Sequence, residues 1–168
     1  VGGAQASALV ILGPPQMGKS SLLRLLPHHL DPHYVPIRLA LRAGTVAGEA
    51  AWLNALAGTV QEALTELDIQ SARLPELPGQ IADLRAALRG EYMTAGLRAL
   101  RRDRHLLLLV DNAERLLTAV QQRTLPRDTF AFLAELLAAH DHLDLILAFD
   151  ARYEPDLLSL GPPIDPAL

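Results

Sequence analysis

The sequence has 168 residues and no cysteine, so disulfides and thiolate metal sites are both excluded. Aromatic residues make up only 4%, which leaves few rings to stack on bases. There is no excess of basic charge. The formal net charge is −4 and the pI about 5.8, so nucleic acid is not expected as the main partner. No apolar run approaches the roughly 20 residues that a membrane-spanning helix needs. Residues 1–7 carry no basic stretch ahead of an apolar one, so no secretory signal is expected and a cytoplasmic location is the default. Lysine is almost missing too: of the 15 lysines and arginines, only Lys19 is lysine. A chain that uses arginine for every other cation keeps one compact ammonium where its shape is needed.

What is present reads as an ordinary globular domain, half apolar and one fifth charged. The length fits a single domain over residues 1–168 with a real core. Residues 8–12 form a short apolar run that ends at Gly13, as a strand buried on both faces would. Residues 18–26 then predict a helix with Leu22, Leu23, Leu25 and Leu26 inward, stopped by Pro27. Residues 34–41 predict a second strand, placed at an edge because Pro36 cannot donate to a ladder. Three-to-four spacing predicts helices over 46–67 and 81–100, separated by a loop over 68–80. Residues 106–110 are the clearest strand, followed by helices near 113–121 and 128–139 and a last strand over 143–149. The proline-rich tail from Asp150 shows no clear element. Strands alternating with helices of this length predict an α/β domain with a parallel sheet covered on both sides.

Gly13-Pro14-Pro15-Gln16-Met17-Gly18-Lys19-Ser20 matches G-x-x-x-x-G-K-[ST] in full. Chance would produce such a match in a chain this long roughly once in two hundred, and this one lies between a predicted strand and a predicted helix. Gly13 would let the chain leave the strand sharply, and Gly18 would let the backbone approach phosphates. Amides of the loop and of the helix start, through Ser21, would then point at one anion, where the helix dipole also favours negative charge. Lys19 would reach the β and γ oxygens of ATP, and the Ser20 hydroxyl would ligate Mg²⁺.

Asp111 ends the apolar strand His105-Leu-Leu-Leu-Leu-Val-Asp, where a carboxylate that organises Mg²⁺ is required. Its plain alternative is a cap for the following helix. Guanine-specific relatives need Asn-Lys-x-Asp, which a chain with one lysine cannot supply. Asn112 occupies the place directly after the aspartate and cannot act as a base. Glu114 is the remaining carboxylate able to orient water, against the reading of a solvated glutamate at a helix start.

Together, the loop 13–20 with Ser21-Leu22-Leu23, the strand Tyr34-Val-Pro-Ile-Arg-Leu-Ala-Leu-Arg42 and Asp111-Asn-Ala-Glu-Arg-Leu116 resemble the STAND class. These are signal-transduction ATPases allied to AAA+ proteins, the NACHT group among them. The resemblance covers most of the chain, but only the phosphate loop is specific. It implies a three-layer P-loop NTPase sheet ordered 5-1-4-3-2, of which this chain would hold the 1-4-3-2 part without the fifth strand and the helical lid. It further implies ATP-dependent oligomerisation and a switch acting on attached sensor and effector modules. The rival readings are an oligomerisation module that holds nucleotide without turnover, an AAA+ ATPase acting on DNA, and a small-molecule kinase.

Weaker features remain. Arg152, near the end of the last strand, fits a γ-phosphate sensor, a finger for a neighbour, or a plain surface arginine. Arg101, Arg102 and Arg104 suit a helix C-terminus more simply than an anionic-partner patch. Pro27 and Pro32 keep His28, His29 and His33 from forming a regular helical ligand pair. His140 and His142 flank Asp141 in a predicted loop. Trp52 and Tyr92 read as core.

Overall fold

A computed structural model describes residues 7–69, 74–100 and 103–159. The chain begins with strand β1 (Ala8–Gly13), helix α1 (Lys19–Leu25) running into a 3-10 turn (Leu26–His28), and β2 (Tyr34–Ala40). Helices α2 (Glu49–Glu66), α3 (Ile81–Ala87) and α4 (Met93–Ala99) follow, the last two joined by a π-helical turn (Leu88–Tyr92). Then come β3 (His105–Asp111), α5 (Glu114–Gln121), α6 (Thr129–Ala138) and β4 (Leu143–Asp150). A 3-10 turn (Ala151–Tyr153) leads to α7 (Glu154–Leu158).

The four strands form one parallel sheet in the order β1-β4-β3-β2. This is the α/β P-loop arrangement expected from the resemblance. β2 lies on the outside, where Pro36 costs no ladder bond on its free side. β3 and β4 are central. Every residue of β4 is buried, as a strand covered on both faces requires.

The period of two divides the side chains into two unequal sets. Val35, Ile37, Leu39, Leu106, Leu108, Val110, Leu143, Leu145, Leu147 and Phe149 face the main core, under α2 to α6. Leu107, Leu109, Ile146 and Ala148 face the other way, into a small cluster closed by Leu23 of α1 and by Ile11, Leu26 and Leu30.

In α2, Trp52, Leu56, Val60, Ala63 and Leu64 are buried at helical spacing. Gly96 on α4 allows the close approach of α2, because a Cβ there would lie 2.5 Å from Val60 Cγ1. Trp52 and Tyr92 are both buried, and the Tyr92 hydroxyl donates to the Ala57 carbonyl (3.2 Å). Burial pushes the Tyr92 phenol above its ordinary value.

Three expectations need correction. Of the four leucines expected inward on α1, Leu23 is buried and Leu26 half-buried, while Leu22 and Leu25 are 47% and 57% exposed. One helix lying on a sheet presents a single stripe, here Leu23 and Leu26 three residues apart, and Leu22 and Leu25 fall outside it. The helix expected over 81–100 contains a π-helical turn at Leu88–Tyr92, around Gly90. The described part of the tail after Asp150 is helical at Ala151–Tyr153 and Glu154–Leu158, with Pro155 in the first turn of α7, where its missing N–H costs nothing, and residues 160–168 lie outside the described residues.

Candidate functional site

Gly18 ends the loop with φ +83°, a conformation that favours glycine, and Gln16 adopts φ +64°. Gly13 does not adopt a left-handed φ, and a Cβ there would stand in ordinary van der Waals contact with Lys19 Cδ, at 3.5 Å. Lys19 Nζ donates to the carbonyls of Gly13 (2.6 Å) and Pro14 (2.8 Å), which draws the ammonium over the loop. The first intrahelical bond of α1 runs from Leu22 N to Gly18 O, at 2.8 Å. The amides of Lys19, Ser20 and Ser21 therefore have no intrahelical acceptor, and no side chain caps this end of α1.

β1 and β3 are separated by β4 in the sheet, yet parallel strands bring their C-terminal ends to the same rim. There the Ser20 hydroxyl donates to Asp111 Oδ1 (2.9 Å), across 91 residues of sequence. Asp111 is 2% exposed. A carboxylate so buried must be paired, and this one accepts from Ser20 and, at Oδ1 again, from the Asn112 amide (3.0 Å), while the Arg38 guanidinium bonds Oδ2. Asn112 takes φ +58°, which asparagine tolerates better than most residues. The turn that it makes places Ala113 at the head of α5, so Asp111 does not cap that helix.

Glu114, the first residue of α5, turns back to the rim and accepts from the Asp150 amide (3.3 Å). Asp150 is bonded by the Arg152 backbone amide (3.0 Å) and by its guanidinium (Nη2 at 2.7 Å). Those bonds hold the Asp150 carboxyl below its ordinary value, and Lys19 adds a smaller attraction.

Pro15, Gln16, Gly18, Lys19, Ser20, Ser21, Asn112, Glu114 and Asp150 enclose a cleft of about 360 Å³. Of the loop residues, Met17 is 71% exposed at the tip, and Pro14 contributes its carbonyl to Lys19. A larger hollow of about 520 Å³ lies alongside, lined by Arg115, Thr118, Gln122, Arg152 and Tyr153 among others, and shares Glu114 with the cleft. The smaller cleft is the candidate because the unpaired amides and the only lysine meet there, beside Ser20, whose hydroxyl reaches the buried Asp111.

Sequence reasoning missed Arg38, and it placed Asp150 at the end of the last strand without assigning it a role. Asp150 ends β4 as Asp111 ends β3, so its place at the rim was recoverable from the strand pattern. Arg38 was recoverable only once the register of β2 on β3 was known.

The other sites are less convergent. His33 pairs with Asp31, whose carboxyl is lowered by bonds from the His33 amide and ring, and His28 and His29 stand exposed in the turn after α1. At the opposite end of the sheet His105 contacts Asp144 (3.0 Å) and His142 (3.3 Å), and Asp144 accepts from Ser7. Among the described residues, no three His, Asp or Glu side chains are arranged to hold a metal ion. Arg101 and Arg102 lie outside the described residues. No described helix is long and apolar enough to cross a membrane.

A family model described as an AAA domain matches residues 3–156. The chain belongs to the AAA domain family. It is an AAA-type P-loop ATPase domain, and the parallel β1-β4-β3-β2 sheet carries the loop and Asp111 accordingly. Among solved structures it is similar to a Walker-type ATPase of Pyrococcus abyssi, with a TM-score of 0.56 and 17% identity. That likeness covers 96% of this AAA domain and 45% of the archaeal chain, so the domain spans less than half the length of the protein it matches. No curated protein matches.

Proposed function

We propose that this AAA domain binds ATP together with Mg²⁺ in the cleft and serves as the nucleotide-controlled switch of a STAND-type signalling ATPase. The observation that carries this is the convergence of Lys19, Ser20, Asp111 and Glu114, from three separate elements, on one rim of the sheet. The amides of residues 18–21 would take the phosphate oxygens, and Lys19 would exchange its loop carbonyls for the β and γ oxygens.

The donor set fits Mg²⁺. A hydroxyl and a carboxylate oxygen stand 2.9 Å apart, both hard oxygen ligands, beside the space for phosphates. Ser20 and Asp111 would hold the ion, and its charge would neutralise the phosphate oxygens to which it is bound. Glu114 would accept a hydrogen bond from water aligned with the γ-phosphate, its carboxylate steadied by the Asp150 amide. Nearly all of this work is positioning and charge stabilisation.

A second reading, a module that holds nucleotide and assembles without turnover, is favoured by Asn112 next to Asp111, a residue unable to act as a base. In either reading, assembly with further copies and control of attached modules belong to the parent protein. Binding titrations with ATP and GTP, followed by a phosphate-release assay on this segment and on its full-length parent, test the proposal. ATP binding with phosphate release by the parent supports the switch. Binding without release from either protein supports the second reading, and no binding contradicts both.

A further inference from the structure

Arg38 stands on the otherwise apolar strand β2, on the face away from Val35, Ile37 and Leu39. In register, Arg38 lies opposite Leu109 and Ala40 opposite Asp111, so the arginine is one diagonal step from Asp111 on the same face. Its Nη2 bonds Asp111 Oδ2, while its Nε is buried and has no hydrogen-bond partner. The guanidinium is thus aimed at the carboxylate while its Nε–H, one of its five donors, stays unpaired. Asp111 Oδ1 is already taken by Ser20 and Asn112, so both oxygens of the metal-side carboxylate are engaged, and Oδ2 is paired with a permanently charged guanidinium.

A loop lysine, a serine hydroxyl and an aspartate need no such arginine in order to hold a dication. Placed here, it repels a second cation and competes with it for the same oxygens. We propose that Arg38 sets the metal dependence of this site: it weakens Mg²⁺ at Asp111, so that nucleotide binding gains less from divalent metal than the same site would without the arginine. The inference rests on Ser20 and Asp111 being the metal-side pair of the proposed function.

The test is calorimetric titration with a non-hydrolysable ATP analogue, in EDTA and in saturating Mg²⁺, on the wild type and on Arg38→Gln, Arg38→Met and Arg38→Lys. Manganese binding to the analogue-loaded proteins, followed by electron paramagnetic resonance, reads the same coupling from the metal's side. Wild type and Arg38→Lys, which both keep a cation, should gain the same modest affinity from Mg²⁺. Arg38→Gln and Arg38→Met should gain about tenfold more than wild type and bind Mn²⁺ tighter by the same factor, because coupling between the two ligands is reciprocal.

An equal or smaller Mg²⁺ gain in Gln and Met variants that bind the analogue would make Arg38 a residue that merely orients Asp111, and would overturn this inference alone. Failure of the wild type to bind the analogue in either buffer would overturn the nucleotide reading as well.

Discussion

The two faces of the sheet are built to different standards. On the face under α2 to α6, the inward positions of β2, β3 and β4 are all apolar, from Val35 to Phe149, and belong to one large cluster. On the face under α1, the same strands carry Arg38, Asp111, Asp144 and Asp150 between the apolar residues, and the buried cluster is five residues with three half-buried neighbours. Stability is concentrated on one side and charge on the other. Lys19, Ser20, Asp111 and Asp150 come from the second side, where a thin layer leaves the phosphate loop and the strand ends open to a ligand, and Glu114 reaches the same rim from the head of α5 on the first side.

Substitutions on the two faces should separate these roles. Phe149→Ala on the thick face should cost about 3–5 kcal/mol in denaturant unfolding, the usual range for a buried ring left as a cavity. Glu114→Gln at the rim should leave stability and ATP affinity alone but slow phosphate release by about a hundredfold, the lower limit for removing a positioned acid–base group. An unaltered rate would remove Glu114 from its role. Leu23→Ala on the thin face should cost about 2 kcal/mol, the low end for a buried leucine, because α1 can settle toward a small cluster. A cost equal to that of Phe149→Ala would contradict the asymmetry.

The smallest effect belongs to the exposed edge of the thick side. Arg85 lies over Phe132 and bonds both oxygens of Asp128 (2.8 and 3.0 Å) as well as Glu49. The Arg85 guanidinium holds the Asp128 carboxyl below its ordinary value of 3.8. A depressed carboxyl contributes its full stability above the unfolded value and loses it as pH falls through the lower folded one. Asp128→Asn should therefore flatten the acid limb of stability below about pH 4, and cost less than about 1 kcal/mol at neutral pH because the pair is largely solvated.

How much of this was legible in the sequence follows the range of the interactions. β1, the loop and β3 could be read because short apolar runs closed by Gly13 and Asp111 are local signals. The sheet order followed from the resemblance, and the structure has it. The inward face of α1 was misjudged because four leucines on two flanks look alike until the width of the sheet beneath them is known. The bond from Arg38 to Asp111 depends on strand register across 73 residues, which no local pattern encodes. α7 was hidden because prolines read as breakers, although one in a first helical turn starts a helix.

Calorimetric titration of Mg²⁺-ATP into the wild type and Lys19→Ala tests the central claim most directly. Loss of the lone ammonium beside the loop amides should weaken binding by at least about a hundredfold, as removal of a charge-assisted phosphate contact of roughly 3 kcal/mol would, while the unfolding midpoint stays where it was. Equal ATP affinity in the two proteins would contradict the account of this cleft as a phosphate cradle.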